Sequence, residues 1–294
     1  MNIIYLTIHI LFAIGMFLSL KIINSKSVNK FQAITVNYVV AFILTSIAYE
    51  KPVYEAFEAM TQPMLFSSLW VGFLFILSFI LMSFSTINAG IGITTALNKM
   101  AVVIPVLVGV FYLGQRDSII LKAIGILLAI ISFLLILFKE NGDNRLKLKS
   151  LLLPLSVFLV SGLIDTSMEV VNHKYVNTEN PQELFLMGIF ATASLLGIVT
   201  ILFDLKKNRN TSELSFKPLI WGSVMGIFNF LVSKMILVNV GLMGGSVVFP
   251  VHNASVVMLT ALAGVLFFKE HFTKKQWIGV VVAIVSVLMI AVTI

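Results

Sequence analysis

Cysteine is absent from this 294-residue chain, which excludes disulfides and thiol metal sites. Charge is scarce too, with Asp, Glu, Lys and Arg making up only 11% of the residues. A soluble domain of this length needs a charged surface that such a composition does not supply. Acids are the rarer sign, 13 against 20 Lys and Arg, which leaves a formal net charge of +7. That excess is not a nucleic-acid signal, because most of the basic residues lie in short loops between apolar runs, where they orient membrane spans. The alternating segments of ~10 residues that mark a β-barrel are missing. So are H-E-x-x-H, G-x-S-x-G, a P-loop and an aspartate dyad at useful spacing. The chain therefore reads as a non-enzyme with no cofactor and no metal. His9, Asp165 and His252 could coordinate an ion, but nothing in their spacing favours it.

What remains is apolar. Hydrophobic residues reach 59% and the mean hydropathy is +1.04. They run continuously for about 20 residues at a time, the length needed to cross ~30 Å of hydrocarbon. Helices suit that setting because they satisfy their own backbone hydrogen bonds. Ten spans are expected, at 3–23, 31–49, 64–87, 93–113, 119–138, 151–171, 184–203, 218–238, 246–268 and 277–294. The first has no basic n-region and no small-residue cleavage site, so it reads as a retained helix and not a signal peptide.

The second half repeats the first. Gly90, Asn98, Val102, Leu107, Gly109 and Val110 reappear 155 positions later as Gly245, Asn253, Val257, Leu262, Gly264 and Val265. After a one-residue gap, Ile124-Gly125, Ala129-Ile130 and Ser132 match Ile278-Gly279, Ala283-Ile284 and Ser286. Each copy holds five spans, an odd number, so consecutive copies enter the membrane from opposite sides. The expected fold is all-α integral membrane, with ten transmembrane helices as two inverted five-helix repeats. The repeats occupy 1–140 and 151–294, joined by a cytoplasmic linker at 141–150. Inverted repeats are characteristic of secondary transporters, whose halves rock about a site near the midplane. Loops 1, 5, 7 and 9 hold most of the Lys and Arg, including Lys21, Lys26, Lys147, Lys206 and Lys274. Those loops are expected in the cytoplasm and both termini outside.

The segment from Gly264 to Glu270, followed by Thr273, Gln276 and Gly279, resembles the G-x-x-x-x-x-E-x-x-T-x-x-Q-x-x-G signature of the drug/metabolite transporter superfamily, in its EamA-like branch. The first copy keeps Gly109 and Gly125 but has Gln115-Arg116-Asp117 where the Glu would stand, and Lys122 near the Gln. The resemblance implies a multi-pass protein of the bacterial inner membrane with a cavity lined by spans 1, 3, 4, 6, 8 and 9, and with spans 5 and 10 at the periphery. Glu270 and Thr273 lie between two helices, where capping and loop closure are their expected roles.

Ionisable groups inside a span are costly and face a cavity or a partner. The interior set here is His9, Lys99, Asp165, Glu169, Lys234 and His252, joined by Asn37, Asn98, Asn229 and Asn253. All six ionisable members fall on spans the resemblance assigns to the cavity. The expected substrate-binding residues are His9, Asn98, Lys99, Asp165, Glu169, Lys234, His252 and Asn253. By topology, Asn98 and Lys99 lie towards the inner side and the other six towards the outer side. Blander readings stand beside these: Lys234 could snorkel to the headgroups, either histidine could be a hydrogen-bonded core residue, and the asparagines could be interhelical glue. Pro105 and Pro250 interrupt spans 4 and 9, and freed carbonyls give a gating helix places to bend. Gly241, Gly244 and Gly245 read as a flexible outer connection, and Gly222 with Gly226 as a packing stripe.

Both signs of charge inside the bundle suggest an amino acid or related zwitterion, moved by alternating access. Lys99 or Lys234 would meet a carboxylate, and Asp165 or Glu169 an ammonium group. A carboxylate desolvated inside a bundle can exchange protons near neutral pH, and Asp165 is the expected proton-coupling residue. A flippase for a lipid-linked substrate and an exporter of drug-like cations are the alternatives. The expected partners are thus a small polar metabolite, protons and the lipid bilayer, with a functional monomer and no nucleic acid.

Overall fold

The computed structural model describes residues 2–25, 28–49, 51–104, 107–108, 118–137, 148–175, 182–207, 216–243 and 245–291. All regular structure among them is helical. In chain order the helices are α1 (Asn2–Ser25), α2 (Lys30–Ala48), α3 (Val53–Ala59), α4 (Gln62–Ala89), α5 (Ile91–Met100) and α6 (Ile119–Leu137). They continue with α7 (Leu148–Tyr175), α8 (Gln182–Lys207), α9 (Phe216–Met243), α10 (Gly245–Phe268) and α11 (Lys274–Ala291). Seven, namely α1, α2, α4, α6, α8, α9 and α10, are long and apolar enough to cross a membrane. They are apolar all round, with one side packed on neighbours and the other presenting Leu11, Ile47, Phe66, Leu127, Leu202, Ile220 and Leu266 outward. Helices of that kind belong in lipid, and the chain is a multi-pass membrane protein.

Local chemistry explains the boundaries. Asn29 precedes α2, and its side-chain oxygen accepts from Phe31 N at 3.0 Å and Gln32 N at 3.2 Å, an N-cap. Thr273 and Gln276 form a reciprocal capping box at the start of α11: Gln276 N donates to Thr273 Oγ1 at 3.2 Å, and Thr273 N donates to Gln276 Oε1 at 3.0 Å. Gly90 separates α4 from α5 with φ +88° and ψ 166°, a conformation open to glycine alone.

Several expectations shift. The short helix α3 falls in what reads as a loop, and its Ala56 and the following Met60 are buried. The helix of span 4 is interrupted after Met100, where Ala101 N and Ile104 N turn back three residues, to the carbonyls of Asn98 (3.3 Å) and Ala101 (2.9 Å), and 103–104 and 107–108 are helical again. Proline at 105 has no N–H to offer the Ala101 carbonyl, and Ile104 satisfies it instead; Pro105 itself lies outside the described residues, as do Gly109 and Gln115-Arg116-Asp117. Helix α7 begins at Leu148, inside the segment read as a linker. Gly241 and Gly245 are helical, and Gly244 lies outside the described residues.

Helix α9 packs on α1 and α2, while α4 packs on α7 and α8. Small residues allow the close approaches. A Cβ at Gly226 would lie 2.6 Å from the Asn37 carbonyl oxygen, and one at Gly222 2.5 Å from that of Ala33. Helices α6 and α11 pack on each other through a reciprocal pair of bonds. Ser132 Oγ donates to the Gly279 carbonyl at 2.7 Å, and Ser286 Oγ to the Gly125 carbonyl at 2.8 Å. Position rises along α6 as it falls along α11, so the two helices run antiparallel.

Because the two bonds occupy equivalent environments, Ser132→Ala and Ser286→Ala are expected to cost the same, about 0.6 kcal/mol each for an interhelical bond in a membrane protein. Thermal unfolding in detergent checks this; effects that differ severalfold would show that the two ends of the interface are not equivalent.

Candidate functional site

Four helices bring the polar interior together. His9 on α1 and His252 on α10 stack face to face, with ring centroids 4.1 Å apart and planes 13° from parallel. Both are buried, at 0% and 4% exposure. His252 Nδ1 lies 3.3 Å from Asn253 Oδ1, whereas His252 Nε2 and both nitrogens of His9 have no hydrogen-bond partner among the described residues. An unsatisfied buried polar atom costs about 1–3 kcal/mol, so three in one stack form a costly feature.

Beside the stack lies the end of α5. Asn98 Nδ2 donates to Ser161 Oγ on α7 at 2.6 Å. Lys99 follows, and its ammonium is near enough for its charge to act on both histidines, while Asp165 acts in turn on Lys99. Asp165 stands four residues after Ser161, on the same face of α7. It is exposed, whereas Asn98, Lys99 and Asn253 are half-buried. Asp165 is thus both exposed and electrostatically tied to Lys99.

Lys99, expected towards the inner side, lies within electrostatic reach of the histidines and of Asp165, which are expected towards the outer side. The reason is rise: His9 and Lys99 each lie eight or so residues into their helices from opposite ends, about 12 Å at 1.5 Å per residue. Both therefore arrive near the middle of a ~30 Å hydrocarbon layer.

One expected member stands apart. Lys234 on α9 is exposed and lies 6.0 Å from the ring of Phe230, and has no carboxylate partner among the described residues. Its long stem can carry the charge along the apolar surface. Glu169 is on α7, but its side chain lies outside the described residues, as does that of Pro250 on α10. Asn229 Nδ2 donates to Asn37 Oδ1 at 3.2 Å within the α2–α9 contact, a bond between helices away from the cluster. Ser161 was missed: a single serine in an apolar helix carries no signal, and only its four-residue spacing from Asp165 could have marked it.

Residues 152–292, which include α8 to α10, match the EamA-like transporter family. The second half of this chain belongs to that family. Its members are transporters and not enzymes, which agrees with the absence of catalytic motifs in the sequence. An uncharacterized protein of Haemophilus influenzae is 27% identical to this EamA-like chain over 291 residues, covering 95% of this chain and 94% of that one. A crystal structure at 13% identity aligns with a TM-score of 0.62 over 98% of this chain and 96% of the other. At that identity the likeness concerns the fold alone.

The Asn98–Ser161 bond ties the end of α5 to α7 in this EamA-like protein. Asn98→Ala and Ser161→Ala should each lower the melting temperature, and the double variant should be no worse than the more damaging single, with a coupling of about 0.6–1.7 kcal/mol. Additive losses in thermal unfolding would show that the bond does not contribute.

Proposed function

We propose that this chain is a secondary carrier for a small polar metabolite, an amino acid or related zwitterion, working by alternating access. The observation that carries the reading is the cluster itself: it contains both signs of charge and draws on both halves of the chain. His9, Asn98 and Lys99 come from the first half, Asp165, His252 and Asn253 from the second. Lys99, with His9 and the unpartnered Nε2 of His252 beside it, suits a substrate carboxylate. Asp165, which is exposed, suits an ammonium group. Lys234 plays no part in this recognition, since it lies away from the cluster.

Ten crossings in two inverted five-helix repeats provide the frame. The reciprocal Ser132–Gly279 and Ser286–Gly125 bonds support that arrangement, because each pairs a residue with the repeat-mate of its partner across antiparallel helices. The packing supports it as well: α1 lies on α9 as α7 lies on α4, and α9 on α2 as α4 on α8. Each partner is exchanged for its repeat-mate, as a two-fold axis in the membrane plane requires. The lysine-rich loops 1, 5, 7 and 9 are cytoplasmic, in the inner membrane of a bacterium. The halves complete one another, so the monomer is the functional unit. A lipid-linked substrate or a drug-like cation fits less well, because neither needs a lysine and two imidazoles beside the acid.

Asp165 couples transport to protons, since a proton and a substrate ammonium group would compete for one carboxylate. Counterflow in proteoliposomes tests the substrate class: labelled amino acids should exchange, and sugars and quaternary cations should not. Lys99→Met should lower amino acid exchange tenfold or more, as expected for losing a hydrogen bond to a charged group worth about 1.5–3 kcal/mol. Exchange of cations or sugars alone would overturn the site assignment. Asp165→Asn should lose uptake driven by a pH gradient, and undiminished uptake would remove Asp165 as the coupling group.

A further inference from the structure

Helix α5 starts without a cap of its own. Its first amides have no partner within the helix, and the residue that would cap them is Gly90, which has no side chain. The cap arrives from the other half of the chain. Glu270, in the loop between α10 and α11, accepts from Ile91 N at 2.7 Å through Oε1 and from Gly92 N at 3.4 Å through Oε2. Lys21, near the end of α1, donates to the same Oε1 at 2.7 Å, and its ammonium sits 5.6 Å from the ring of Phe268. The carboxylate is only 10% exposed.

The space around it is made by glycine. A Cβ at Gly90 or at Gly264 would lie 2.6 Å from Glu270 Oε2. Lys269 takes a left-handed φ of 53°, rare for lysine, and Glu270 N then returns to the Gly264 carbonyl at 3.0 Å. A buried carboxylate with one ammonium and two amides at a helix N-terminus is a strong, directional arrangement. Every donor belongs to the first half and the acceptor to the second. The first copy has Gln115 at the position 155 residues before Glu270, so a carboxylate stands there in one copy only.

We propose that Glu270 is a latch between the two halves: it closes the bundle at the end where α1 finishes and α5 begins, and it positions the helix that carries Asn98 and Lys99. Lys99 is eight residues beyond Ile91, about 12 Å along one short helix. Holding the start of α5 therefore sets where the Lys99 ammonium sits against His9 and His252. Opening this end must break the Lys21–Glu270 pair and release the α5 amides. The inference rests on the carrier reading, in which the two halves move relative to one another.

The chain contains no cysteine, so one introduced thiol reports without background. Thr260 is fully buried and lies one turn from Gly264 on α10, behind the latch. In proteoliposomes, a Thr260→Cys chain should react slowly with maleimide. Adding Lys21→Met should speed labelling about tenfold, the effect of losing one charge-assisted bond, and Glu270→Gln should do at least as much. The double variant should match Glu270→Gln, and Lys21→Arg should restore slow labelling. If Glu270→Gln does not fold, Lys21→Met still tests the latch, because it leaves the α5 cap in place. Unchanged labelling in Lys21→Met, with or without a lower melting temperature, would overturn the latch and leave Glu270 a static cap. Labelling needs no transport, so the two readings separate: faster labelling without exchange of any solute supports the latch and defeats the carrier assignment, and exchange without faster labelling does the reverse.

Discussion

A helix in lipid satisfies its own backbone everywhere except at its ends, and a helix that ends inside a bundle must find partners there. Helix α5 is the place where this constraint bears hardest. It begins at a glycine that cannot cap it and is interrupted after Met100, ahead of a proline. Its beginning is answered by Glu270 from the second half, and its end by turns through Asn98 and Ala101. The short helix left between those ends delivers Asn98 and Lys99 to the middle of the bundle.

The cluster around Lys99 follows from that placement. His9, His252, Lys99 and Asp165 sit on four helices, and no two neighbours in the cluster are neighbours in sequence. Stacked imidazoles with unpartnered nitrogens cost stability, and an uncovered carboxylate beside an ammonium adds little of it. Such a set fits the binding role proposed for it better than a role in folding. The surrounding helices are held differently, by close approaches of Gly222 and Gly226 on α9 to α2 and of Gly72 on α4 and Gly188 on α8 to one another's helix. The tight glycine contacts and the polar cluster therefore lie on different helices.

The reciprocal serine bonds of α6 and α11 show how duplication reaches into single atoms. Gly125 and Gly279 offer a bare backbone where a side chain would block the approach, and Ser132 and Ser286 each reach the other's glycine carbonyl. Repeat-mates that match in sequence here meet in space, because the interface lies between them. The capping segment differs between the copies in sequence: Glu270 has no counterpart acid at Gln115.

Much was legible in the sequence because it depends on local composition. Apolar runs determined that the chain is helical and membrane-spanning, since only a helix satisfies its backbone in hydrocarbon. The Gly, Asn and Ser matches displayed the duplication, and the segment from Gly264 to Gly279 displayed the family. Rare charges in apolar runs singled out His9, Lys99, Asp165 and His252. Only the tertiary structure decided which of these meet. Lys234 looked equivalent to Lys99 in sequence, yet its helix turns it outward; Ser161 looked like nothing and holds Asn98; Glu270 looked like the cap of its own loop and serves a helix in the other half. Contacts of this kind depend on the rotation and crossing of whole helices, set by packing at residues far from the polar groups themselves, so no local window of sequence contains them.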